Sequence, residues 1–198
     1  MSVCGIVLAA GAGVRFGGPK ALARDENGIP WTERAVATLR EAGCAPVLVC
    51  LGAERAAASP LVPQVATIVE VPDWHLGLSA SVKAGLRVAA QTDASAALIV
   101  PVDVPELPAS VCRRVLDAAT PDSEAALCRA VYSGRPGHPA LIGRVHWVPV
   151  AAELVGDRGA GAYLTSHGAT AIECGDLWHG RDVDVRVALT EGSSPLGG

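Results

Sequence analysis

The 198-residue sequence predicts an α/β fold in which a mostly parallel sheet carries helices on both faces. Three observations carry that expectation. Short apolar runs alternate with helical patterns along the chain. Most of the runs are near-continuously apolar, as in strands covered on both sides, rather than alternating. The segments richest in glycine, serine and aspartate follow directly on the runs, where open α/β sheets bind their ligands.

The elements follow in order. Val3–Leu8 reads as the first strand and ends in a glycine-rich loop. Thr32–Glu41 reads as a helix stopped at Gly43, and Val47–Leu51 and Ala66–Val71 as strands. Ser79–Ala90 is the next helix, with Ser79 as a candidate N-cap and Leu78, Val82, Leu86 and Ala89 on one face. Ala96–Val102 is a strand, Ala109–Ala119 a helix after Pro105 and Pro108, and Ala125–Val131 a strand. His146–Leu154 and Gly159–His167 look helical, and Thr170–Cys174 is a short strand. No repeat or long linker divides the chain, so residues 1–190 are expected to form one domain, with 191–198 as a frayed tail.

Composition excludes several classes. Half of the residues are hydrophobic, but only four Trp, two Tyr and one Phe are present, so Ala, Val and Leu must fill the core. No apolar run approaches the roughly 20 residues of a membrane span, and no secretory signal opens the chain. The six cysteines, Cys4, Cys44, Cys50, Cys112, Cys128 and Cys174, form no Cys-x-x-Cys pair. They read as small core residues of a cytoplasmic protein. A net charge of −4 without a basic cluster argues against a nucleic-acid surface. Lys20 and Lys83 are the only lysines, and both fall in the glycine- and serine-rich segments.

Leu8-Ala9-Ala10-Gly11-Ala12-Gly13-Val14-Arg15-Phe16-Gly17-Gly18-Pro19-Lys20 is the most telling of these segments. Glycines let backbone N–H groups approach an anion closely, and Arg15 and Lys20 add fixed positive charge. A dinucleotide fingerprint does not fit, because Phe16 stands where its third glycine belongs; a P-loop does not fit, because Ala21 follows Lys20. A phosphate cradle and a plain glycine-rich surface loop both remain open from this segment alone. Asp103, in Pro101-Val102-Asp103-Val104-Pro105, reads as a Mg²⁺ ligand at a strand end or as a helix cap. Val71–Lys83 places a turn before a helix, where Ser79 and Ser81 face a nucleotide or simply cap the helix; Trp74 reads as a packing residue. Gly137-His138-Pro139 and Gly156-Asp157-Arg158-Gly159 are within the repertoire of a second-substrate site. His75, His146, His167 and His179 lack zinc-ligand spacing, and no serine or cysteine sits in a nucleophile elbow.

Together these segments resemble the molybdenum cofactor nucleotidyltransferases, above all the cytidylyltransferase branch. Leu-Ala-Ala-Gly-x-x-x-Arg-x-Gly-x-x-Lys is matched from Leu8 to Lys20, and Pro-Asp-Trp-x-x-Gly-x-x-x-Ser-(Val/Leu)-x-x-Gly from Pro72 to Gly85. Asp-x-Pro is matched by Asp103 and Pro105, Gly-His-Pro by Gly137 to Pro139, and Gly-Asp-x-Gly-Ala by Gly156 to Ala160. The resemblance implies a Rossmann-like three-layer nucleotidyltransferase fold, a nucleoside triphosphate, Mg²⁺, and a phosphorylated pterin as acceptor. It implies that Leu8, Ala9, Ala10, Gly11, Gly13, Lys20, Gly77, Ser79 and Ser81 bind the nucleotide, and that Arg15, Lys20 and Asp103 are catalytic. It further implies that Asp103 and Asp184 hold the metal, that His138 and Asp157 serve the acceptor, and that a molybdoenzyme or its chaperone is the partner. The chain departs from the family at two places. Asp-Ile-Asp-Thr-Pro-x-Asp becomes Asp182-Val183-Asp184-Val185-Arg186-Val187-Ala188, and the arginine that follows Gly-Asp-x-Gly-Ala becomes Gly161. Transfer to a sugar or polyol phosphate, and a non-catalytic nucleotide-binding accessory role, are therefore the alternatives.

Overall fold

Strand order in the sheet explains where the site must lie. The computed structural model describes residues 2–119 and 122–184. Seven strands, β1 (Val3–Ala9), β2 (Val47–Leu51), β3 (Thr67–Glu70), β4 (Ala96–Pro101), β5 (Leu127–Tyr132), β6 (Arg135–Gly143) and β7 (Thr170–Glu173), form one sheet in the order β3-β2-β1-β4-β6-β5-β7. β1 pairs in parallel with β2 and β4, β2 with β3, and β5 with β7; β6 runs antiparallel to both its neighbours. The carboxyl ends of β1 and β4 therefore lie side by side, with Leu8 opposite Pro101. That neighbourhood brings the glycine loop to Asp103.

The helices are α1 (Trp31–Glu41), α2 (Arg55–Ala58), α3 (Leu78–Ala89), α4 (Ala109–Ala118), α5 (Trp147–Glu153) and α6 (Gly161–Ser166). They cover the sheet on both sides. Val7, Val36, Leu39, Val111 and Val115 belong to one buried cluster, and Ile6, Leu48, Val82, Leu86, Val150 and Leu164 to the other. Alternate residues of β1 thus feed opposite cores, which is why its sequence is apolar throughout. α3 lies close on the sheet because position 85 is glycine: a Cβ there would stand 2.8 Å from Ile6 Cγ2. All six cysteines are buried free thiols. Burial pushes Cys4, Cys44, Cys50 and Cys112 up to about 12, so these thiols stay protonated and unreactive. No helix among the described residues is long and apolar enough to cross a membrane.

The expected strands and helices are present with ends shifted by a residue or two. Two differences matter. β6 is a nine-residue strand that the sequence does not announce, because Pro136, Gly137 and Pro139 read locally as a turn. Its place between β4 and β5 is set by the buried Ala140, Leu141 and Ile142. Ser79 is not the N-cap of α3: Gly77 holds that position without a side-chain cap, and the Ser79 amide donates to the Gly156 carbonyl at 3.0 Å. The expected tail at 191–198 lies outside the described residues, as do Val185 to Ala188.

Candidate active site

The loop after β1 closes on itself and leaves its leading amides open. Gly13 adopts φ +59°, and its carbonyl accepts the amides of Phe16 and Gly18 at 2.9 and 3.1 Å. A Cβ at position 13 would meet the Gly18 oxygen at 2.0 Å, so only glycine permits this closure. The Gly17 amide is also used inside the loop, donating to Val14. The amides of residues 11 to 15 donate to no group among the described residues. A run of free amides on a glycine loop is a nest for anionic oxygens.

Beside the loop stands a compact cluster of charges. Lys20 Nζ donates to Asp103 Oδ2 at 2.8 Å and to Asp184 Oδ1 at 3.0 Å. Asp184 arrives on an irregular strap, residues 174–184, which opens with a turn at 175–177 and is fixed by the Val183 amide donating to the Asp103 carbonyl at 2.9 Å. The same strap carries Asp182, and one carboxylate oxygen from each of Asp103, Asp182 and Asp184 lies within 4.8 Å of the others. Burial lowers the Lys20 ammonium, but the hydrogen bonds and charges of Asp103 and Asp184 outweigh it, and the net direction is up. The Lys20 hydrogen bond in turn holds Asp184 below the usual carboxylate range. Lys20 is therefore a permanent cation and Asp184 a permanent anion near neutral pH.

Two cavities meet at this cluster. The larger, of about 600 Å³, is bordered by Asp103, Arg129, His138, Gly161, Trp178 and Asp182. The smaller, of about 420 Å³, is bordered by Arg15, Trp74, Gly77, Ser81, Asp157 and Asp184. Leu8, Gly11, Gly13, Lys20 and Leu78 border both. Asp103 Oδ1, His138 Nδ1 and Trp178 Nε1 are buried without hydrogen-bond partners among the described residues, and all three belong to residues of the larger cavity. Burial lowers the His138 imidazole, while the Asp103 and Asp182 carboxylates pull it back up; the net direction is down, so the ring is neutral near pH 7.

A free-amide glycine loop, a lysine among aspartates and a strand-end site have counterparts in known proteins. The family model of the MobA-like NTP transferase domain matches residues 5–171. The chain belongs to the MobA-like NTP transferase family. It is 35% identical over 195 residues, 92% of each chain, to nicotine blue oxidoreductase of Paenarthrobacter nicotinovorans. Among solved structures it is similar to a homologue of Mycobacterium tuberculosis Rv0371c from Mycobacterium sp. strain JC1, at 28% identity and TM-score 0.77, covering 92% of this chain and 90% of that one. It is also similar to Rv0371c of M. tuberculosis H37Rv itself, at 25% identity and TM-score 0.72, covering 93% of each chain.

Nucleotidyltransferases of this kind use divalent metals, and the residues of this MobA-like chain fit one. Three carboxylates supply hard oxygen donors, and the buried Asp103 Oδ1 has no hydrogen-bond partner among the described residues. The residues expected at the site fall into two groups. Leu8, Gly11, Gly13 and Lys20 border both cavities, Ala9 the larger, and Ala10, Arg15, Gly77 and Ser81 the smaller. Ser79 is buried and borders neither. His138 and Asp157, expected on one substrate, are separated: His138 is in the larger cavity, and Asp157 is in the smaller, packed against Gly77. Lys83 is exposed on α3 and borders neither cavity. Trp74 packs on Gly52, and its half-buried ring also borders the smaller cavity. Sequence reasoning passed over Asp182, Arg129 and Trp178. Asp182 had a signal, since residues two apart on extended backbone share a face with one another. Arg129 and Trp178 had none.

Proposed function

We propose that this protein is a nucleotidyltransferase that moves a nucleoside monophosphate, CMP by preference, from its triphosphate to the phosphate of a molybdopterin-type cofactor, releasing pyrophosphate. The observation that carries this reading is the meeting of two cavities at Lys20 and the free-amide loop, with the aspartate cluster on the same spot. The cytidylyl preference and the pterin acceptor rest on the motif resemblance. The smaller cavity takes the nucleotide: its loop amides and Arg15 receive the triphosphate, and Ser81, Gly77 and Trp74 flank the remainder. The larger cavity takes the acceptor, whose apolar walls at Leu78, Val82, Ile99 and Leu164 suit a flat ring system.

An oxygen of the acceptor phosphate attacks the α-phosphorus, a new P–O bond forms, and the bond to the β-phosphate bridging oxygen breaks. The attacking phosphate is already ionised near neutral pH, so no general base is required. Lys20 stands between the two substrates and stabilises the charge that develops on the α-phosphate and on departing pyrophosphate. Asp103, Asp182 and Asp184 would hold a Mg²⁺ ion, which when bound neutralises the triphosphate. In this reading the protein works in the cytoplasm and hands its product to a molybdoenzyme or its chaperone. The test is pyrophosphate release from each nucleoside triphosphate with Mg²⁺ and molybdopterin. Release with CTP is the expected result; tight nucleotide binding with no release for any phosphorylated acceptor overturns it.

A second reading follows from the 35% identical relative, whose name is that of an oxidoreductase. The same pair of cavities would seat a reduced nicotinamide dinucleotide in the smaller and a flat quinonoid acceptor in the larger. Loss of reduced-nicotinamide absorbance with a quinonoid dye, without pyrophosphate chemistry, selects this reading.

A further inference from the structure

The larger cavity has a second cation, and it differs from Lys20 in being unspent. Arg129, on β5, borders the cavity with Asp103, Asp182 and His138. It forms no ion pair with a carboxylate among the described residues. Its one side-chain hydrogen bond among the described residues is a long one, 3.4 Å from Nη2 to the Thr165 hydroxyl, which itself donates to the Gly161 carbonyl at 2.9 Å. The register of β5 on β6 shifts immediately after Arg129, and a shift of this kind re-aims side chains. Gly161 lies beside the guanidinium, since a Cβ at that position would make an ordinary contact with Arg129 Nη1 at 3.5 Å, and both residues border the larger cavity.

We infer that Arg129 is the anion-binding residue of the acceptor cavity, seating a phosphate of the acceptor beside Gly161. This rests on the larger cavity being the acceptor's. A guanidinium suits the task because its planar donors match a phosphate in bidentate fashion, and it stays charged at any working pH. Lys20 serves another end: two of its three N–H donors go to Asp103 and Asp184, and it stands where charge develops during transfer. The position that lacks the resembling family's arginine is thus supplied with positive charge from a different strand. Arg129 acts on substrate selection: it reads whether the ring-bearing ligand carries an anionic group.

Inorganic phosphate provides the test, followed by NMR of the arginine side-chain Nε–H signals of the free protein, with Arg129→Gln assigning the signal. The Arg129 signal is expected to shift on phosphate addition in the wild type and to remain in place with glycerol as an uncharged control. A phosphate titration that moves other arginines and leaves Arg129 unchanged overturns the inference. In turnover assays Arg129→Gln should raise the KM for the phosphorylated acceptor about tenfold or more with the nucleotide KM unchanged, and Arg129→Lys should recover part of it. The double variant Arg129→Gln with Gly161→Arg should also recover acceptor KM, because the charge returns from the neighbouring backbone position. An unchanged acceptor KM in Arg129→Gln overturns the inference while leaving nucleotidyl transfer standing. A phosphate response at Arg129 in a protein that transfers no nucleotide leaves the inference standing and removes the transferase reading.

Discussion

The two halves of the site are built in opposite ways. The half proposed for the nucleotide is mostly local: the loop 11–20 hangs from the end of β1, and Gly77 and Ser81 open α3, with Asp157 and Asp184 arriving from farther along the chain. The half proposed for the acceptor is assembled from pieces far apart in the chain, with Arg129 on β5, His138 on β6, Gly161 opening α6, and Trp178 and Asp182 on the strap. The first half is stabilised by its own hydrogen bonds, as when Gly13 accepts Phe16 and Gly18. The second depends on contacts between elements, as when the Tyr132 hydroxyl donates to the His138 carbonyl and the Tyr132 ring packs edge-on against Trp178. A local half tolerates change elsewhere in the molecule; an assembled half can be retuned by one residue without loss of the nucleotide chemistry.

Substitutions can break that contrast in order of size. Asp103→Ala removes one of the two carboxylates that hold Lys20 and one of the three clustered acids, leaving Lys20 with Asp184 alone and the Asp182–Asp184 pair without its least exposed neighbour. A loss of kcat of about 10²–10³-fold or more is expected with the fold retained, measured by pyrophosphate release and circular dichroism. Retained activity would take Asp103 out of the centre. Gly13→Ala should come next. The added methyl cannot coexist with the Gly18 carbonyl at 2.0 Å, so the loop must open. Nucleotide affinity is expected to fall about tenfold or more in equilibrium titration, while acceptor affinity stays within about twofold, as the local character of this half requires.

The smallest effect probes the assembled half through pH. Glu173 on β7 accepts the amides of Gly175, Ser133 and Gly134, so one carboxylate ties the start of the strap to the turn between β5 and β6. The Gly175 amide first, then those of Ser133 and Gly134, hold Glu173 below the usual carboxylate range. The folded value is thus lower than the unfolded one of about 4.3, so the stabilisation is fully present above that pH. It is lost as pH falls through the depressed folded value. Wild type should therefore exceed Glu173→Gln in Tm by a small constant margin at neutral pH, and the two should converge below about pH 4. A difference that persists unchanged into acid would assign the effect to packing instead of charge.

Much of this could be read from sequence, and the limits follow the same contrast. Asp103 was legible because it follows a buried strand and is flanked by Pro101 and Pro105. Gly77 and Ser81 were legible because a turn before an amphipathic pattern marks a helix start. Asp157 was grouped with His138 because both sit in short glycine-containing motifs. Its true neighbour is Gly77, which takes φ +100° and packs against the Gly156–Asp157 turn, a contact that no local pattern encodes.

The sequence by itself determined the mostly parallel α/β sheet and the glycine loop at the end of β1, because apolar periodicity, strand-end placement and glycine geometry are properties of a few consecutive residues. Only the tertiary structure decided that β6 is inserted antiparallel between β4 and β5, and that the strap returns Asp182 and Asp184 to Asp103. It also decided that the Arg129 guanidinium lies beside Gly161. Each of those outcomes is a packing of distant segments, selected by which buried surfaces fit together rather than by any residue's own conformational preference.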